Sequence, residues 1–146
     1  MTGEPRVADV VARTLARTGI RRAFGVPGGE VLTLVDALAR AGIDPILARQ
    51  ESAAAAMATA TATLGTTPGL AFTTIGPGLI SAVNGVANAF QERTALILLS
   101  GVVERAIRGR FTHQVVDHAA ILRPIVKASF EVEATARRRW SSERCA

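Results

Sequence analysis

The sequence of 146 residues is poor in cysteine and in aromatic residues. Its single cysteine is Cys145, and it has no tyrosine. One cysteine excludes a disulfide within this sequence and any metal site built from several cysteines. Aromatic residues make up only 4% of the chain, which argues against the stacking surfaces that bind single-stranded nucleic acids.

Long apolar runs are missing as well. Although 49% of the residues are hydrophobic, no stretch reaches the roughly 20 consecutive apolar residues that a membrane-spanning helix needs. The opening MTGEPRVADVV does not show a basic segment followed by an apolar one, as a secretory signal would. We therefore expect a cytoplasmic protein that has no membrane partner.

Positive charge is in excess but is not arranged as a binding surface. The net charge is +5, and residues 134–146 (ATARRRWSSERCA) alone carry a net +3. The remaining charge is spread thinly, without the basic stripe of a nucleic-acid interface. We predict that the protein binds no nucleic acid, that residues 1–133 form one domain, and that residues 134–146 are a basic, disordered tail.

Segments with helical and with strand spacing alternate along the chain. Two apolar stripes with the period of a helix are Val7, Val10, Val11 and Leu15, and then Val31, Val35 and Leu38. Predicted helices cover 6–19, 30–42, 51–64, 77–92 and a short part of 115–124. Predicted strands cover 22–26, 44–49, 68–76, 95–101 and 126–133, with a surface loop over 102–116.

This alternation predicts the fold. It calls for an α/β three-layer sandwich, with a mostly parallel sheet and helices on both faces. Ligands of such sheets bind beyond the carboxyl ends of the strands. Three segments fall there, GVPGG (25–29), RQES (49–52) and TTIGPG (73–78). Glu51 is therefore expected at a strand end and at a helix N-terminus together.

Glu51 has a structural explanation that needs no chemistry. A carboxylate in the first turn stabilises a helix by about 0.3–1 kcal/mol through the helix dipole, and the residue alone favours this interpretation. The glycine turns fit neither the dinucleotide fingerprint nor a P-loop, which counts against a generic nucleotide-binding domain. His113 and His118 have no cysteine nearby, so we predict no metal site in this chain.

Several motifs, taken in order, resemble a known family. Together they are similar to the N-terminal pyrimidine-binding domain of thiamine-diphosphate enzymes of the acetolactate synthase and pyruvate oxidase type. The motifs that carry the resemblance are FGVPGGEVLTLVDAL, RQESAAAAMA, PGLAFTTIGPGLISAVNGVANAF, ALILLSG and THQVVDHAAILRPIVKAS. They are specific to the superfamily and much less specific to one reaction.

The resemblance implies a catalytic role for Glu51. In the family, this glutamate hydrogen-bonds N1′ of the aminopyrimidine of thiamine diphosphate and so activates the cofactor toward 2-keto acids, which lose carbon dioxide. The implied cofactor contacts are Val26, Pro27, Gly28, Glu51, Thr74, Pro77, Ser81 and Gln114, with His113 as a bulky neighbour. Helix entry explains Pro77 equally well, and a solvated loop position explains His113.

The sequence departs from the family pattern at several positions. Gln50 stands where histidine is common, and Ala60 and Thr61 stand where Gly-Tyr is common. Ser81 replaces a usual asparagine, and Ala95 replaces a common proline. Glu51 itself is kept.

The family continues beyond such a domain into a central domain and a diphosphate-binding domain, whose GDG…N motif holds Mg²⁺ and the diphosphate. That motif does not occur here, so we expect Mg²⁺ only with a homodimer or partner subunit that carries a diphosphate-binding domain. The alternatives are a truncated remnant of such an enzyme, or a non-catalytic dimerisation or regulatory domain. In the last case, the small side chains of 51–64 and 77–92 would meet a second chain.

Overall fold

Four short strands form one parallel sheet. The structure, a computed structural model, describes residues 6–110 and 112–132. Within these ranges the strands are β1 (Arg22–Gly25), β2 (Asp44–Leu47), β3 (Gly69–Thr73) and β4 (Leu96–Ser100). Their order is β2-β1-β3-β4, and each neighbouring pair is parallel. Parallel neighbours need crossover connections, and helices provide them here.

The helices alternate with the strands. The four longer ones are α1 (Val7–Arg17), α2 (Leu32–Arg40), α3 (Glu51–Leu64) and α4 (Pro77–Gln91), and a 3₁₀ turn, Gly29–Val31, precedes α2. Two short helices follow β4, namely α5 (Arg105–Arg108) and α6 (His118–Leu122), and a second 3₁₀ turn, Arg123–Ile125, follows α6. The predicted helices and the first four predicted strands are thus present, with ends shifted by a few residues.

Side chains of the strands alternate between two helical layers. Leu70 and Phe72 of β3 are buried in one cluster with Leu38 of α2. Ala71, which lies between them in β3, is buried on the other face with Ala54 of α3. Because successive side chains of a strand point to opposite faces, the sheet has helices on both sides. The predicted three-layer α/β sandwich is confirmed.

The buried face of α1 coincides only in part with its apolar stripe. Val10 is 45% exposed, whereas Ala12 is fully buried and Ala8, Leu15 and Ala16 pack against the core. The spacing of the buried residues is helical in both cases. Leu15 belongs to both sets, so the apolar stripe predicts the helix but does not fully predict which of its residues are buried.

No strand forms over 126–132, although one was predicted over 126–133. Apolar residues do alternate in this segment, but Phe130 and Val132 are exposed. A strand is stable only when a neighbour accepts and donates its backbone hydrogen bonds, and none of the described strands pairs with this segment. The predicted loop over 102–116 also contains α5. Residue 133 and the predicted tail, 134–146, lie outside the described residues.

Small side chains bring α3 and α4 together within the chain. Ala54, Ala55 and Ala58 of α3 are fully buried. A Cβ atom placed on Gly85 of α4 would lie only 2.5 Å from Cβ of Ala55. The hypothesis of a dimerisation domain assigned the alanines of α3 to contacts with a second chain. In the structure these three alanines are buried inside their own chain.

Candidate functional site

Glu51 begins α3, and three residues separate it from the end of β2. Gln50, just before it, has extended backbone (φ −148°, ψ 147°) and offers no side-chain cap to the helix. The Glu51 side chain is half-buried in the first turn of α3, where the helix dipole favours a negative charge. No described residue forms a hydrogen bond or an ion pair with its carboxylate.

The entry of α4 lies against this carboxylate. A Cβ atom placed on Gly78 would lie 3.2 Å from Oε1 of Glu51 and 2.3 Å from Oγ1 of Thr74. Gly78 is buried, so any side chain at this position would occupy the space between Glu51 and Thr74. The structure therefore brings two of the predicted site residues, Glu51 and Thr74, to the same glycine.

The turn after β1 reaches the same point. A Cβ atom placed on Gly28 would lie 2.3 Å from Cγ2 of Thr74 and 3.4 Å from Oε2 of Glu30. Thr74 thus contacts both glycine turns. The three segments that the sequence predicts at the strand ends, 25–29, 49–52 and 73–78, do meet at one corner of the sheet.

The other predicted site residues lie around this corner. Val26 and Pro27 follow β1, and Pro77 and Ser81 belong to the first turns of α4, where both are exposed. Gln114 has positive φ (58°), and its backbone carbonyl lies close to Gly76. The Gln114 side chain is exposed, so the contact with the turn is made by its backbone.

Two of the departures from the family pattern lie far from Glu51. Ala60 follows Glu51 by nine residues in α3, which corresponds to about 14 Å along a helix. Ala60 and Thr61 line a shallow groove near the end of α3, together with Leu64. The Gly-Tyr pair that is common in the family would therefore not contact the Glu51 carboxylate from these two positions.

His118 lies beside the site. From the sequence it was considered only as a metal ligand, and the sequence did not support that role. Its Nε2 accepts the backbone N–H of Gly76 at 3.1 Å, and its Nδ1 lies 3.4 Å from Oγ of Ser100. Ser100 in turn accepts the hydroxyl of Thr73 at 3.0 Å and donates to the carbonyl of Thr74 at 3.1 Å. A chain of hydrogen bonds therefore runs from the end of β4 to the turn before α4.

The tautomer of His118 follows from this network. Since Nε2 accepts a hydrogen bond, the ring is neutral and its proton is on Nδ1, which donates to Ser100. Burial lowers the pKa of His118 from its ordinary value of 6.5, the charge of Arg108 lowers it further, and Asp117 opposes both. The local sequence predicts only part of this arrangement, since Asp117 caps α6 through Ala120 N–H at 2.9 Å. Gly76 is 42 residues away, and no spacing rule links it to His118.

The described ranges, 6–110 and 112–132, contain no candidate metal-binding group and no candidate membrane-spanning helix. No group of three or more His, Cys, Asp or Glu residues there is placed to hold a metal ion. None of the helices in these ranges is both long and apolar enough to cross a membrane.

Sequence comparison relates this geometry to a family of cofactor-dependent enzymes. The family described as "Thiamine pyrophosphate enzyme, N-terminal TPP binding domain" matches residues 5–121. The chain belongs to this family. The matched part of this thiamine pyrophosphate enzyme domain contains α1 to α4, all four strands, and the corner where Glu51, Thr74 and Gly78 meet.

Curated relatives of this thiamine pyrophosphate enzyme domain are acetolactate synthases. The acetolactate synthase isozyme 3 large subunit of Escherichia coli is 40% identical over 129 residues, which are 88% of this chain and 22% of the relative. The acetolactate synthase of Bacillus subtilis is 39% identical over 88% of the chain and 22% of its own length. The catabolic acetolactate synthase of Raoultella terrigena is 34% identical over 88% and 23%. The chain thus spans about a fifth of the length of these relatives.

Proposed function

We propose that this chain is the pyrimidine-binding half of an acetolactate synthase-like enzyme that binds thiamine diphosphate and acts on 2-keto acids. The reaction class is decarboxylation or carboligation. Glu51 is the catalytic residue of this half. The proposal rests on one observation above all, the half-buried carboxylate of Glu51 at a strand end, with no described protein partner and with a buried glycine directly against it.

The residues at this corner suit the aminopyrimidine of the cofactor. A flat heterocycle with a weakly basic ring nitrogen needs a carboxylate that can share a proton with it, and a neighbouring backbone without side chains. Glu51 supplies the first. Gly28 and Gly78 supply the second, since neither carries a side chain, and Gly78 lies directly against the carboxylate. When bound, thiamine diphosphate would supply the carbon nucleophile for the 2-keto acid.

Each residue of this chain has a limited task in the proposal. Glu51 holds a proton at N1′ of the aminopyrimidine and works as an acid and base toward that atom. The remaining residues position the ring, either through backbone or through side-chain contacts. They are Val26, Pro27, Gly28, Thr74, Pro77, Ser81 and Gln114.

The diphosphate end of the cofactor needs a second contributor. This chain aligns with only 22% of the E. coli relative, and its described residues provide no group placed to hold Mg²⁺. A second copy or a partner subunit that carries a diphosphate-binding domain would hold Mg²⁺ and the diphosphate. We propose residues 1–133 as the domain that such a partner meets.

A chimera provides the test of Glu51. In the chimera, the matching segment of this chain replaces the 129 aligned residues of the E. coli isozyme 3 large subunit. We expect the chimera to form acetolactate with thiamine diphosphate and Mg²⁺. We expect Glu51→Gln to lower its turnover by at least about 100-fold, since the amide keeps the shape but cannot exchange a proton.

The matched control is Glu92→Gln, which makes the same chemical change at an exposed position just after α4. We expect this variant to keep the activity of the unmodified chimera. Circular dichroism should show the same fold in all three proteins. Unchanged turnover in a folded Glu51→Gln chimera, or a folded unmodified chimera that forms no acetolactate, would contradict the proposal and favour a non-catalytic domain or a remnant.

A further inference from the structure

We propose that His118 is a positioning residue of the candidate site, which holds the turn of residues 74–78 (the Gly76 turn) in place only while its imidazole is neutral. The role in catalysis rests on the function proposed above. The role in the turn itself depends only on this chain. The His118 side chain forms its hydrogen bonds with Gly76 and Ser100 rather than with Glu51 or the proposed cofactor contacts, and it acts through the backbone of Gly76.

The Gly76 turn needs a partner because of its backbone. Gly76 is buried, has φ 53° and ψ −109°, and directly precedes the first residue of α4. Its N–H lies before the start of the helix and must find an acceptor, since buried backbone donors are nearly always paired. Nε2 of His118 is that acceptor, at 3.1 Å.

The opposite side of the imidazole is fixed as well. Nδ1 faces Ser100, whose hydroxyl is also bonded to Thr73 and to the carbonyl of Thr74. The ring is therefore clamped between the end of β4 and the Gly76 turn. Holding the ring in this way fixes where Thr74 and Gly78 lie. Gly78 lies against Glu51, and Thr74 lies against Gly78.

Protonation would break the contact. A proton on Nε2 would place two donors, Nε2–H and the Gly76 N–H, against each other. The charged groups that act on the ring are Asp117 on its own helix and Arg108 of α5, which is paired with Glu131. The partial positive charge at the start of α4 also disfavours an imidazolium. The turn should therefore loosen when His118 becomes charged in acid.

The first test is NMR on the full 146-residue chain, which contains only two histidines. We expect His118 to carry its proton on Nδ1 at pH 7.5, and the amide signal of Gly76 to shift with the titration of His118. His113 provides the internal comparison. A proton on Nε2 at pH 7.5, or a Gly76 amide that does not follow His118, would overturn the proposal, and neither result involves the cofactor.

The second test uses two substitutions. His118→Gln can place an acceptor near the position of Nε2 but does not titrate, whereas His118→Leu has no acceptor. We expect His118→Gln to keep a wild-type-like Gly76 amide signal that no longer changes between pH 7.5 and 5.5, and His118→Leu to lose that signal position at both pH values. Should the Gln variant fail to fold, the titration of the unmodified chain still decides.

The chimera then links the turn to catalysis. We expect His118→Leu to lower acetolactate formation by about 10- to 100-fold at pH 7.5, as a small displacement of positioned groups does. His118→Gln should restore most of this activity and flatten its decline toward pH 5.5. Full activity of His118→Leu would overturn the positioning role. A different outcome is that His118→Leu loses the Gly76 amide signal position while Glu51→Gln keeps full turnover. That outcome would support the role of His118 in the turn and would reject the proposed function.

Discussion

Glu51 shows how one carboxylate can satisfy two demands at once. It lies in the first turn of α3, where it stabilises the helix by about 0.3–1 kcal/mol. Its Oε1 also faces the entry of a different helix, 3.2 Å from where a Cβ atom of residue 78 would be. Helix stabilisation requires only a first-turn position. The buried glycine opposite the carboxylate leaves the backbone there without a side chain, and packing against Oγ1 of Thr74 also requires glycine at this position.

Gly78→Ala tests this space directly. The added methyl group would overlap Oγ1 of Thr74 at 2.3 Å, so we expect Thr74 and Glu51 to move and acetolactate formation by the chimera to fall at least about 10-fold. Stability should change little, because the methyl group would meet side-chain atoms of Thr74 and Glu51, which can shift. Steady-state turnover and thermal unfolding of the same samples provide the two measurements.

The control for this substitution is Gly109→Ala. A Cβ atom on Gly109 would meet nothing within 4 Å, and its φ of −69° suits alanine. We expect turnover and melting temperature close to those of the unmodified chimera. Equal turnover of the Gly78→Ala and Gly109→Ala proteins would show that the space beside Glu51 has no part in the reaction.

At the scale of elements, the contact between α3 and α4 positions the site. Glu51 is the first residue of α3, and Gly78 lies in the first turn of α4. The distance between them therefore depends on how closely the two helices pack. Gly85 and Ala55 meet at a point where a larger side chain on Gly85 would not fit. The buried alanines of α3 are thus explained by packing against the sheet and against α4.

Gly85→Ala should destabilise the domain. The new Cβ would lie 2.5 Å from Cβ of Ala55 and 3.2 Å from the carbonyl of Ser52, and neither can rotate away. Overpacking costs about 1–3 kcal/mol, and the gain in helix propensity offsets about 1 kcal/mol of it. We expect a net loss of up to about 2 kcal/mol in the free energy of unfolding, measured by urea denaturation.

Compensation provides the control for that substitution. Ala55→Gly removes the atom that the new methyl group meets, so the double variant should be more stable than the sum of the two single effects predicts. If Gly85→Ala is as stable as the unmodified chain, or if the two effects are simply additive, the two positions do not limit how closely α3 and α4 approach.

At the scale of the whole molecule, the described residues form the sheet and its core but only part of the site that the proposed reaction needs. The described residues form a sheet with a core on both faces, and Glu51 lies beyond the carboxyl ends of its strands. The proposed reaction also needs a diphosphate site, which we propose that a second copy or a partner subunit supplies. We therefore expect turnover only when that contributor is present.

The stability of the whole chain should depend on pH through His118. Its pKa is lowered in the folded state from the ordinary value of 6.5, so the unfolded chain takes up the proton first as the pH falls. Stability from this group is complete above about pH 6.5 and is lost progressively below it. Urea midpoints should be lower at pH 5.5 than at pH 7.5, and His118→Gln should reduce the difference.

A second group adds to the acid sensitivity at lower pH. The hydrogen bond from Arg6 is the main cause that lowers the pKa of Asp9 from its ordinary value of 3.8. The folded state therefore keeps Asp9 charged to a lower pH than the unfolded chain does, and this contribution to stability disappears as the pH falls below that value.

The pH dependence that we assign to His118 has a definite sign. If the urea midpoint is higher at pH 5.5 than at pH 7.5, that sign is contradicted.

The sequence by itself determined the order of helices and strands, the parallel sheet, and the position of Glu51 between β2 and α3. These features follow from apolar spacing, glycine and proline turns, and helix starts, which act over a few residues. The motif order also indicated the family, which the match over residues 5–121 confirms. The catalytic role of Glu51 stays a prediction, as do all the assigned cofactor contacts, which are Val26, Pro27, Gly28, Glu51, Thr74, Pro77, Ser81 and Gln114.

Only the tertiary structure decided which surfaces meet. The buried phase of α1, the missing strand over 126–132, and the alanines of α3 that lie inside the chain all depend on partners distant in sequence. The contact of His118 with Gly76 spans 42 residues, and no local pattern encodes it. Local periodicity records which face of a segment is apolar, but the shape of the facing element decides what that face packs against.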